Sequence, residues 1–88
     1  MTRPFEFSTQ DIELSACLLT AGGKLLRITP GRELTEFTFL LNETSQETVF
    51  EYSAGTLCQK VRPLVKNRSW LYRQIREVSR TGRGVHYD

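Results

Sequence analysis

Eighty-eight residues leave room for one domain with a thin core, and 39% hydrophobic with 25% charged residues is the composition of a folded globular chain, not a disordered one. The formal charge of +2 is unevenly divided: residues 1–55 carry four basic and eight acidic side chains, net −4, and residues 56–88 carry eight and two, net +6. Apolar runs are only a few residues long, as at Ala16-Cys17-Leu18-Leu19, against the roughly 20 that cross a bilayer. No membrane span is therefore expected, and the start Met-Thr-Arg-Pro-Phe-Glu-Phe, without a signal-peptide pattern, leads to an expected cytoplasmic location.

The first predicted element follows Ser8-Thr9-Gln10-Asp11, where a hydroxyl can cap free backbone N–H groups and an acid sits in a positive first turn. Ile12, Ala16 and Leu19 recur at helical spacing, Leu14, Cys17 and Leu18 widen the stripe, and Gly22-Gly23 supplies a stop, giving a helix over about residues 9–21. Lys24 to Thr29 and Glu33 to Leu41 read as strands joined by Pro30-Gly31-Arg32. Phe37, Phe39 and Leu41 share one side of the second, and Leu26 and Ile28 are expected on the buried side of the first.

Thr44-Ser45-Gln46-Glu47 has capping-box form, and Val49, Phe50 and Ala54 precede a stop at Gly55, which predicts a second, short helix. From Thr56 to Pro63 the pattern is ambiguous. Pro63 fits the first turn of a last helix, and Asn67 or Ser69 fits the cap of one that starts later. At about 100° per residue, Leu64, Leu71, Ile75 and Val78 cluster in one sector with Lys66, Arg73, Arg76 and Arg80 nearly opposite. Arg68 falls in the apolar sector of a helix begun at Pro63, which favours a start near residue 68, with an end around Ser79.

The order implies an α+β fold: a helix, an antiparallel β-hairpin, then two helices packed on one face of the hairpin. Residues 1–80 form the expected single domain, and 81–88, glycine-rich and carrying Arg83, a flexible tail. A core this thin makes a homodimer a further expectation.

Parts for an enzyme are scarce. The one histidine, His86, lies in the expected tail, whereas a catalytic base must be held within reach of its target. Cys17 and Cys58 sit in apolar surroundings and read as buried, reduced thiols. Glu43, Glu47 and Glu51 form a solvated helix face, and Gly22-Gly23 lacks the context of a phosphate cradle. The expectation is a non-enzymatic protein with no catalytic, cofactor-binding or metal-binding residue and no small-molecule substrate.

The basic stripe is the candidate surface. Lys66, Arg73, Arg76 and Arg80 could contact phosphates, with Arg62 joining, Trp70 and Tyr72 flanking to stack on a base, and Arg83 extending the patch as an arm. The plainer reading is a solvated outer face, since a pI of 8.7 is below the usual footprint of a nucleic-acid-binding domain. An acidic protein partner is the other charged ligand that fits.

Phe7-Ser8-Thr9-Gln10-Asp11, the helix ending in Ala21-Gly22-Gly23-Lys24-Leu25 and the strand Phe37-Thr38-Phe39 resemble a family of short bacterial and phage proteins known only as a domain of unknown function. The resemblance covers residues 5–78 and departs from the pattern between Thr56 and Lys66. It implies a phage or mobile-element setting and carries over no catalytic residue. Two functions follow: an interaction module binding nucleic acid or another polyanion through the basic helix, or an accessory or anti-defence protein docking on a host protein. The second would use the acidic helix around Glu43, Glu47 and Glu51, or an exposed apolar patch. The opposed charges would alternatively serve solubility and dimer assembly.

Overall fold

The computed structural model describes residues 3–87. In chain order these form β1 (Phe5–Thr9), α1 (Ile12–Thr20), β2 (Lys24–Thr29), β3 (Glu36–Leu41), α2 (Glu43–Ala54), α3 (Val61–Thr81) and β4 (Val85–His86). The α+β class and the β2–β3 hairpin agree with the sequence reading. The topology does not: the hairpin is the centre of a four-stranded antiparallel sheet in the order β1-β3-β2-β4, with one added strand before the first helix and another after the last.

The first added strand explains why α1 starts late. Phe5 to Thr9 pair residue for residue with Leu41 to Phe37, so Ser8 and Thr9 belong to the sheet and the N-cap passes to Asp11. Its Oδ1 accepts from the Leu14 N–H at 3.1 Å, and its Oδ2 accepts from the Tyr52 hydroxyl at 2.9 Å, so one carboxylate caps the start of α1 and ties it to α2. Burial, reinforced by that bond to an anionic partner, pushes the Tyr52 phenol up to about 12. In α2 the cap is Asn42, which accepts from the Ser45 N–H at 2.9 Å, and Gly55 closes the helix at φ 76°, a left-handed conformation that suits glycine.

Period-two alternation sends Phe37, Phe39 and Leu41 to the face covered by the helices. There they meet Leu14, Ala16 and Leu18 of α1, Leu25 and Ile28 of β2, and Leu71 and Val78 of α3, with Val49 and Tyr52 of α2 at the margin. A register shift between Leu25 and Arg27 makes a bulge in β2, which is why the consecutive residues Leu25 and Leu26 are both buried.

Among the described residues, the helices lie on that one face and none covers the opposite one. Arg27 of β2 and Glu6 of β1 flank β3 and meet across it at 2.7 Å, while the Ser8 and Thr38 hydroxyls share a hydrogen bond of 2.9 Å. These contacts cover Thr38, which is only 1% exposed although it faces away from the core.

Three further expectations change. α3 begins at Val61 and not near residue 68: Pro63 sits in its first turn, where a missing N–H leaves no bond unmade, and Arg68 escapes the apolar sector by pairing with Glu13 of α1 at 3.0 Å. Cys58 is exposed, in the connector between α2 and α3, whereas Cys17 is buried and burial pushes its thiol up. The expected tail instead contributes β4: Gly82, at φ 69°, turns the chain after α3, and Val85 and His86 pair with Ile28 and Arg27. Gly84 makes the close approach possible, because a Cβ there would stand 2.8 Å from the Ile28 carbonyl oxygen.

Candidate nucleic-acid interface

α3 is held by one side and presents the other. Leu71 and Val78 are buried, Leu64, Trp70 and Ile75 pack at the edge of the core, and Asn67 donates from Nδ2 to the Thr20 hydroxyl of α1 at 3.1 Å. That anchoring fixes which sector faces water. Arg62, Lys66, Arg73, Arg76 and Arg80 are all exposed and fall within a sector of about 80° on the far side. From residue 62 to residue 80 the stripe runs roughly 27 Å along the helix at 1.5 Å per residue.

Among the described residues, Arg62, Lys66, Arg73 and Arg76 have no ion-pair partner. Arg80 differs: its guanidinium pairs with Glu77 one turn back, and that contact holds its pKa above the ordinary value. The first turn of α3 has no acidic residue, so the positive end of the helix dipole adds to the charges of Arg62 and Lys66 instead of being offset.

The aromatic partners divide. Trp70 is turned to the side of the stripe, half-buried, with its ring 5.8 Å from that of Tyr87 at 49°. Tyr87 in turn donates from its hydroxyl to the Gln74 Oε1 at 3.0 Å, and its N–H donates to the Leu26 carbonyl at 2.7 Å. Trp70 thus fastens the C-terminal strand to α3. Tyr72 is the ring at the exposed margin, 44% accessible, with the Arg68 guanidinium 5.8 Å from its centroid. Arg83 lies in the turn between α3 and β4, where its N–H donates to the Thr81 hydroxyl at 3.2 Å.

The stripe is thus brought together as Lys66, Arg73, Arg76 and Arg80 with Arg62 included, while Trp70 and Arg83 lie outside the line of cations. Val61 and Val65, 71% and 51% exposed, border its N-terminal half and drew no notice in the sequence because they fit an amphipathic pattern poorly. His86 is exposed on β4 opposite Arg27. Among the described residues, no three His, Cys, Asp or Glu side chains converge as metal ligands would, and no helix is long and apolar enough to cross a membrane. Comparison with family models, curated proteins and solved structures finds no match to this chain.

Proposed function

We propose that this protein is a small non-enzymatic interaction module that binds nucleic acid, or a polyanion like it, through the outer face of α3. The observation that carries the reading is the set of four exposed cations on that face that form no ion pair among the described residues. Such charges neutralise backbone phosphates and displace the counterions condensed on them into solution, which drives binding without sequence recognition. Rigid mounting supports it, because the helix is fixed by Leu71, Val78 and Asn67 and its cations need little ordering on contact. The exposure of Tyr72 at the margin of the stripe supports a stacking contact with an unpaired base on the ring face that Arg68 does not cover.

The test is binding of fluorescently labelled single- and double-stranded DNA and RNA to nuclease-treated protein at roughly 50 mM salt, a condition that favours backbone contacts. Binding that weakens steeply as salt rises is expected. No binding of any of the four at that salt would refute the proposal.

A further inference from the structure

Phe50 is the most exposed large apolar side chain among the described residues, at 81%. On the outward side of α2 it stands between Glu47 and Ala54, and Glu51 lies one turn beyond Glu47. An acid-flanked aromatic therefore projects from one helix. The N-terminal half of α3 carries its counterpart, with Val61 and Val65 one turn apart beside Arg62 and Lys66, also one turn apart. Each surface has an apolar row and a charged row, both at four-residue spacing, or about 6 Å along the axis.

The fold does not use these charges internally. Among the described residues the ion pairs join Arg27 to Glu6, Arg68 to Glu13 and Arg80 to Glu77, and none involves Glu47, Glu51, Arg62 or Lys66. Glu47 and Glu51 of α2 and Arg62 and Lys66 of α3 therefore keep complementary charges that are not paired with one another within one copy.

We infer that these surfaces are the two halves of one contact and that a second copy of this chain is the occupant. Phe50 and Ala54 of one copy pack on Val61 and Val65 of the other, and Glu47 and Glu51 face Arg62 and Lys66. Matched spacing sets the register, opposite charge steers the approach, and the exposed apolar rows leave water. The patch is small, so the assembly is a weak one, formed at roughly tens to hundreds of micromolar protein. It does not depend on polyanion binding, and it competes with it, because Arg62 and Lys66 cannot serve both partners at once.

Sedimentation velocity of nuclease-treated, nucleic-acid-free protein at low and high salt tests this. Wild type should associate at low salt and dissociate as salt rises. E47K/E51K alone and R62E/K66E alone should each be monomeric, since like charges then face one another. A mixture of the two should recover association, which also shows that both variants are folded. Phe50→Ser should weaken self-association roughly tenfold or more. A wild-type monomer throughout the concentration range, association indifferent to both charge reversals, or folded variants whose mixture stays monomeric would each overturn the inference.

Discussion

The four cations on α3 that form no ion pair among the described residues set a number that binding experiments can read. For duplex DNA the slope of log K against log salt is about −0.9 for each phosphate neutralised, so engagement of Arg62, Lys66, Arg73 and Arg76 gives a slope of about −3.6, or about −2.8 for a single strand. Over a fourfold rise in salt these correspond to losses in affinity of roughly 150-fold and 50-fold. Replacing Arg73 and Arg76 by Ala should halve the duplex slope to about −1.8, cutting the loss over the same interval to roughly 12-fold. Arg80→Ala should change the slope by clearly less than one unit, because Glu77 already occupies that guanidinium. Arg27→Ala, on the open face of the sheet and paired with Glu6, should leave it unchanged. Fluorescence anisotropy across a salt series supplies all four values. An unchanged slope in the Arg73/Arg76 double variant, or equal effects from Arg27 and Arg73, would refute the assignment of the stripe.

Stability measurements probe the frame beneath it. Leu71 of α3 is fully buried in the core cluster, so Leu71→Ala should cost about 2–5 kcal/mol and lower the melting temperature by at least roughly 8 °C; a smaller shift would mean that the helix is seated less firmly than its burial implies. The Tyr52 phenol, raised to about 12, favours the folded state fully below its unfolded value and loses that contribution as pH climbs toward 12. Tyr52→Phe should accordingly show a smaller decline in melting temperature between about pH 9 and pH 11 than wild type does, and equal declines would contradict the assignment. Gly84→Ala would set a Cβ against the Ile28 carbonyl and push β4 away. Faster hydrogen exchange at the Tyr87 amide, with polyanion binding unaltered, is the expected result, and unchanged exchange would show that β4 tolerates the intrusion.

What could be read from the sequence was local. Alternating Phe37, Phe39 and Leu41, the Gly55 stop and the two-sided pattern of α3 each depend on neighbours a few residues away, and they appear where expected. β1 was hidden because its partner lies about 30 residues on and because Ser8 and Thr9 suit a helix cap as well as a strand. Arg68 made α3 look shorter than it is, since the charge that accommodates it, Glu13, lies on another helix. β4 is two residues among glycines, too short for any periodicity, and its place is set by Trp70, Tyr87 and the β2 edge. The same long-range blindness applied at the surface: the cations could be counted, but which of them were already occupied, as Arg80 is, depended on a folded geometry.

The order in which this sheet becomes covered bears on how the chain is made. β1, β2 and β3 are all present once Leu41 has been added, so their pairing can begin with less than half of the chain. The same strands offer Phe37, Phe39 and Ile28 to a face that α1 lines early with Leu14, Ala16 and Leu18 but whose core is complete only when Leu71 and Val78 arrive on α3. A nascent or proteolytically shortened chain ending in the α2–α3 connector would therefore hold a core with part of its greasy side open to neighbours, the condition in which strand-rich intermediates aggregate. The long basic helix is, in that sense, the lid of the fold as well as its outer surface, and cutting the chain near Cys58 should yield an insoluble fragment instead of a smaller working domain.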